Sequence, residues 1–303
     1  MNSRSYNSVL IIGMGLIGSS IARVIKEKKI AEKIIAVDNS EDIIHKTKDL
    51  NIIDNIYDNF DKISIQFDII FICTPLSAYK NIFKELNNFI KKPTLITDVG
   101  STKVSVIKDF KSFVDNNKIS FLPAHPIAGL EKSGPEYGLA KLFKNRYCII
   151  TPINKDDKFI EEISNIWKSF GMTIEIMEAD RHDRVLAMTS HIPQLIAYSV
   201  VGTATELETQ MKDEVIKYSA AGFRDFTRLA GSDPIMWRDV YEKNKDAVLE
   251  MLGRFSEDLL TYQKAIRNND IKFLEEKFSK SKEIRKIIEE IGQAGTFDPT
   301  EKN

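Results

Sequence analysis

Six residues near the amino terminus, Gly13-Met14-Gly15-Leu16-Ile17-Gly18, constrain the fold of this chain more than any other feature. They follow the apolar run Val9–Ile12 and open the helical stretch Leu16–Lys28, so a strand is expected to turn straight into a helix. In that context the first glycine makes a tight turn, the second lets backbone approach a pyrophosphate, and the third lets helix and strand pack closely. A pyrophosphate would sit at the positive end of the helix, over Gly13, Gly15, Leu16, Ile17 and Gly18. Asp38 closes the next apolar run about 20 residues past Gly18, where a carboxylate bonds adenosine ribose hydroxyls. The same charge repels a 2′-phosphate, and Asn39-Ser40 offers no arginine to hold one, which favours NAD over NADP. The alternative is a glycine turn with no ligand.

The first half continues as alternating strands and helices. Strands are expected at Ile34–Asp38, Asp68–Thr74, Thr94–Thr97, Ile119–Leu122, Tyr147–Thr151 and Thr173–Met177. Helices are expected near Glu41–Leu50, Leu76–Ile90, Lys103–Phe110 and Lys155–Phe170. Strands apolar on both faces, alternating with helices, imply a parallel sheet covered on both sides. Past Glu178 the alternation stops, and Ala179–Thr205, Lys212–Tyr218, Pro234–Tyr241, Lys245–Asn268 and Ile271–Ile291 all read as helical. Pro193 falls inside the first of these and should kink it by removing one backbone hydrogen bond. The fold class is therefore α/β, a Rossmann-type doubly wound, mostly parallel sheet over residues 1–178, followed by an all-helical domain over 179–303. Leu249, Leu252, Phe255, Leu259 and Tyr262 recur at helical spacing and suit either an ordinary core or packing against a second copy in a homodimer. The tail from Gly295 is polar and reads as frayed.

Composition removes several classes. With 43 Lys+Arg against 44 Asp+Glu in 303 residues, no positive field exists for nucleic-acid binding by counterion release. The longest apolar runs fall far short of a membrane span, and the opening residues MNSRSYNS lack the apolar centre of a signal peptide. Cys73 and Cys148 lie in distant apolar stretches and suit buried thiols in a reducing cytoplasm. No zinc-spaced cluster and no Gly-x-Ser-x-Gly elbow occurs, so a metal site and acyl transfer have no support.

Ligands of such sheets lie beyond the carboxyl ends of the strands, which places Thr74-Pro75 and Asp98-Val99-Gly100-Ser101 beside a nicotinamide. Thr74 and Ser101, taken singly, also read as turn residues. Of the four histidines, His45 and His182 sit among polar and charged neighbours and read as solvated surface. His125 follows a strand inside Pro123-Ala124-His125-Pro126, where two prolines restrict its backbone; it is the candidate base. His191, on the Pro193 helix, reads by itself as a satisfied core histidine. Among 32 lysines and only 11 arginines, five arginines fall between residues 181 and 238 (Arg181, Arg184, Arg224, Arg228 and Arg238). Arginine is favoured where a planar fork clamps a carboxylate, although pairs such as Asp180 with Arg184 fit plain helix-surface bridges.

Taken together, these residues resemble the prephenate/arogenate dehydrogenase family of tyrosine biosynthesis. The resemblance is carried, in the family's order, by Gly13–Gly18, Asp98–Lys103 (DVGSTK), His125–Glu131 (HPIAGLE), Ser190–Gln194 (SHIPQ), and Gly222–Arg228 (GFRDFTR) continuing to Ser232–Arg238 (SDPIMWR). The stretch Gly129–Gly134 is most similar to the cyclohexadienyl branch, which accepts prephenate and often arogenate. Leu130 departs from the small polar residue of many members. The resemblance implies that His125 takes the ring hydroxyl proton while hydride passes to NAD, and that Ser101 orients hydroxyl and nicotinamide. It further implies that Arg228 clamps the ring carboxylate, that Glu131 belongs to the substrate contacts, and that His191 and Trp237 line the pocket for the substrate side chain. Two rivals are weighed beside it. A β-hydroxyacid dehydrogenase would want a lysine on the first helix of the second half, and Ala179–Thr205 has none. A non-catalytic NAD-sensing regulator would not need Ser101, His125 and Arg228 together.

Overall fold

A computed structural model describes residues 6–155, 157–206, 214–215 and 217–291. The polar tail from Gly295 and residues 212, 213 and 216 of the helix expected at Lys212–Tyr218 lie outside the described residues. Two compact units are formed, 1–248 and 249–303.

The first unit is built on a six-stranded parallel sheet in the order β3-β2-β1-β4-β5-β6. Its strands are β1 (Tyr6–Ile12), β2 (Ala31–Val37), β3 (Asn55–Tyr57), β4 (Ile69–Ile72), β5 (Thr94–Asp98) and β6 (Ile119–Leu122). That order reverses direction between β1 and β4, the crevice where doubly wound sheets bind dinucleotides. Ile12 stands level with Val37 on one side and Ile72 on the other, so three strands end together at one edge. The central strands are apolar on both faces because both are covered. One face packs α1 (Leu16–Lys28) and α5 (Ile160–Ser169) around Phe71, Phe143 and Trp167. The other packs α3 (Tyr79–Phe89) and α4 (Val104–Phe113) around Phe83, Phe110 and Phe121. Burial drives both thiols, Cys73 and Cys148, well above their ordinary pKa, and they are unpaired.

Two expectations are corrected. Tyr147–Ile150 (β8) and Thr173–Ile176 (β9) do not extend the main sheet; they form a second, three-stranded sheet with Ala124–Pro126 (β7). β7 pairs antiparallel with β8, opposing His125 to Ile149, so His125, expected just past the end of a strand, itself lies in a short strand.

The helices after β9 are α6 (Ala179–Leu186), α7 (Ile192–Thr205), α8 (Ala221–Thr227) and α9 (Pro234–Lys243), with α10 (Lys245–Arg267) and α11 (Ile271–Glu290) beyond. Between α6 and α7 one turn, Ala187–His191, widens to a π-helix. Pro193 lies in the first turn of α7 and cannot donate to the residue four before it; the widened turn absorbs that missing bond. In α9, Asp233 caps the helix start by accepting from Ile235 and Met236 N–H, while buried Asp239 accepts from Ser77 N–H at 3.1 Å and so ties α9 to the sheet. In the second unit, Tyr262 stacks on Phe278 at 6.1 Å, and Asp270 caps α11.

Candidate active site

The glycine turn has the shape a dinucleotide needs. Gly13 adopts φ +93°, and a Cβ there would lie 2.8 Å from the Cys73 carbonyl group. A Cβ on Gly18 would stand 2.0 Å from the Gly13 oxygen, so helix and turn touch through bare backbone. Gly15, by contrast, faces open space. Helix α1 has no side-chain cap and no acid in its first turn, leaving the N–H groups around Leu16 and Ile17 to an anion. Asp38 accepts from Met14 N–H at 2.8 Å and from Ser40 N–H at 3.0 Å, which holds its carboxylate above the turn. Thr74 and Pro75 follow β4, and the Thr74 hydroxyl is buried without a partner among the described residues. Half-buried Ser101 follows β5 on the same edge. An uncapped helix end, a cradle that a Cβ at Gly15 would fill, and an acid held just past β2 fit NAD.

Beyond β6 lies a chain of hydrogen bonds. His125 Nδ1 is 2.9 Å from His182 Nε2, and His182 Nδ1 is 2.7 Å from Asp183 Oδ1. A carboxylate can only accept, so His182 carries its proton on Nδ1 and presents a bare Nε2. His125 must then donate from Nδ1, which leaves its own Nε2 as a free lone pair. Burial, followed by the neighbouring His182, Lys103 and His191, holds His125 well below its ordinary pKa. Burial also lowers His182, against the opposing bond from Asp183. Both rings are therefore neutral near pH 7, and the His125 ring is oriented from behind with its Nε2 lone pair free.

Buried groups anchor this relay. Asp183 Oδ1 and Oδ2 accept from the Lys103 and Val104 N–H groups at 2.8 and 3.0 Å, capping α4, which has no cap of its own. Lys103 is completely buried; its Nζ donates to Asp98 Oδ2 at 2.6 Å and to the Ala124 carbonyl at 2.7 Å. Asp98 Oδ1 accepts from Ala124 N–H at 3.1 Å, and Oδ2 from Tyr79 and Gly100. One ion pair thus grips both backbone groups of the residue before His125.

The remaining expected residues fall into two groups. His191 is buried, with burial pushing its pKa down to about 4, and Trp237 lies edge-on to it at 6.0 Å. Arg228 forms an ion pair with Glu131, so the carboxylate of Glu131 faces a guanidinium. Asp180 and Arg184 make the expected surface bridge at 3.2 Å. The expectation for His182 is overturned: it is fully buried and sits at the centre of the relay. Sequence reasoning gave no role of their own to Asp183 or to the buried Lys103, whose partners come from strands and helices distant in sequence.

A glycine turn on a sheet of this order, with a neutral imidazole held at its carboxyl edge, defines a nucleotide-dependent dehydrogenase. Residues 21–176 match the family model for the nucleotide-binding domain of prephenate dehydrogenase, and residues 178–280 match the one for its dimerization domain. The chain is 36% identical over 281 residues to the cyclohexadienyl dehydrogenase of Zymomonas mobilis, covering 92% of this chain and 95% of that one. It is 33% identical to the prephenate dehydrogenase of Bacillus subtilis, covering 92% and 75% of the two chains. The crystal structure of prephenate dehydrogenase from Aquifex aeolicus, in complex with hydroxyphenyl propionate and NAD+, superimposes with a TM-score of 0.88 at 33% identity, covering 95% of this chain and all of that one. This chain belongs to the prephenate dehydrogenase family.

Proposed function

We propose that this chain catalyses the NAD-dependent oxidative decarboxylation of prephenate to 4-hydroxyphenylpyruvate in tyrosine biosynthesis, with arogenate as a second substrate. The observation that carries the reading is the His125–His182–Asp183 relay, which leaves a neutral imidazole lone pair at the carboxyl edge of a dinucleotide-binding sheet. Gly13–Gly18 and Asp38 would hold NAD, which would supply the hydride acceptor for the ring carbon that bears the hydroxyl. His125 Nε2 takes the hydroxyl proton as that carbon–oxygen bond gains double-bond character. The bond from the ring to its carboxylate breaks, the electron pair enters the ring, and CO2 leaves. The oxygen then recovers its proton from His125 as the phenol forms, so no net proton is consumed. Carboxylates of the bound substrate would raise the depressed pKa of His125 toward the working range.

Ser101 orients the hydroxyl and the nicotinamide, and Thr74 and Pro75 border the latter. Arg228 holds the ring carboxylate, with Glu131 steering the guanidinium; this ion pair supports that division of roles. His191 and Trp237 line the place of the substrate side chain. We place the boundary between the cofactor domain and the helical domain at residue 178, a reading supported by family-model matches that end at 176 and begin at 178. Exposed Leu249, Leu259, Ile266, Phe278 and Ile284 support homodimerisation through the C-terminal helices, in an enzyme of the cytoplasm. The test is initial-rate NADH formation with prephenate and with arogenate, each with NAD and with NADP. Turnover of prephenate with NAD is expected, and no turnover of either substrate by a protein that binds NAD would return the regulatory alternative.

A further inference from the structure

Asn244, between α9 and α10, is buried and unused by the chemistry described above. Its Nδ2 lies 2.8 Å from the Asp183 carbonyl oxygen and 3.1 Å from His191 Nδ1. A backbone carbonyl accepts only, so the atom facing it is the amide NH2, and the orientation of the amide follows. The second N–H of that group is left for His191 Nδ1, which must be the lone-pair nitrogen. A neutral imidazole carries one proton, and here it resides on Nε2. That Nε2 is buried and meets no acceptor among the described residues, and the same is true of the Trp237 indole Nε1 beside it.

Polar side chains on α7 and α9 bond elsewhere. Tyr241 donates to His191 O at 3.1 Å, Gln194 to Leu229 O at 2.7 Å, and Tyr198 to Ser232 O at 3.0 Å. Two buried donors left open side by side call for an acceptor that arrives with the ligand. Asn244 bonds Asp183 as well as His191, so the donors are joined through one amide to the residue that holds the relay.

We propose that Asn244 is a positioning residue that fixes His191 as the Nε2–H tautomer, so that His191 and Trp237 present only donors and select a substrate whose side chain carries only acceptors. A keto acid side chain, with its carbonyl and carboxylate, meets that demand. An α-ammonium would bring donors against donors. The inference rests on the proposed function, which supplies the keto acid and amino acid pair being compared.

The test begins with the wild-type enzyme, 15N-labelled at its histidines and bound to NAD, in long-range 1H–15N spectra near pH 7; a His191→Gln sample assigns the signal. His191 protonated on Nε2 and bare on Nδ1 is expected, and the reverse would overturn the proposal without any reliance on turnover. Asn244→Asp then offers an acceptor to Nδ1. The tautomer should reverse, and the ratio of kcat/KM for prephenate over arogenate should fall about tenfold or more. A reversed tautomer with an unchanged ratio would overturn the selectivity. If Asn244→Asp does not fold, the wild-type spectrum still decides the tautomer. Lack of turnover by wild-type enzyme showing the Nε2–H form would sink the functional reading and the selectivity with it, leaving only the tautomer standing.

Discussion

His125 Nδ1 lies 2.9 Å from His182 Nε2, and that one contact decides which nitrogen of His125 can act as the base. Because His182 is itself held by Asp183, the proton positions along the relay are set by an acceptor that cannot donate. His182→Ala should leave NAD affinity unchanged and lower kcat about 10- to 100-fold, since the ring of His125 would lose its orientation but keep its chemistry. Steady-state kinetics alongside NAD titration by fluorescence checks this, and an effect confined to KM would count against the relay.

Acid should act on the fold and on the activity in the same direction. His125, His182 and His191 are held neutral by burial, each below its ordinary pKa. The unfolded chain protonates them near pH 6.5 while the native protein does not, so below that pH the unfolded state binds more protons. Stability is then lost as pH falls below about 6.5, by up to about 1.4 kcal/mol per pH unit for each histidine. Calorimetry should show Tm dropping between pH 6.5 and 5, before most carboxylates titrate. The acid limb of kcat/KM, which reports the free enzyme's base, should fall below pH 6.5 and not above it.

Two glycines of the turn should respond in opposite ways to the same substitution. Gly18→Ala drives a Cβ to 2.0 Å from the Gly13 oxygen and should cost folding stability outright. Gly15→Ala meets open space, so Tm should be nearly unchanged while the KM for NAD rises about tenfold. Equal loss of stability in both variants would mean that Gly15 serves packing and not the ligand.

Arg228→Ala should raise the KM for prephenate more than it lowers kcat, because a clamp on a carboxylate that must depart binds ground state and transition state alike. Glu131→Gln should produce a smaller change of the same kind, since the arginine remains but loses its guide. Initial rates over a range of prephenate concentrations separate the two constants.

The glycine turn, the helix Leu16–Lys28 and the apolar strand cores were legible because each rests on contacts close in sequence. β7 was not, since three residues, preceded by Pro123 and ending in Pro126, are too short to show alternation, and pairing with β8 is settled by residues some twenty positions away. His182 sits between Arg181 and Asp183 in a charged stretch, and only the docking of α6 turns 182, 183 and 186 inward while 181 and 184 remain exposed. Lys103 illustrates the same point: its burial depends on Asp98 and Ala124 arriving from two different strands, and the DVGSTK stretch that contains it does not mark it as buried. His125 was legible as a candidate base, but its tautomer required the partner that the local pattern conceals.

The most direct test of the account is NADH formation by His125→Asn enzyme saturated with NAD and prephenate. Asparagine keeps a polar side chain in β7 but has no lone-pair nitrogen to take the proton, so kcat should fall about 10²- to 10⁴-fold while the enzyme still binds its cofactor. Turnover within twofold of wild type would contradict the assignment of His125 as the base, and with it the role of the relay behind it.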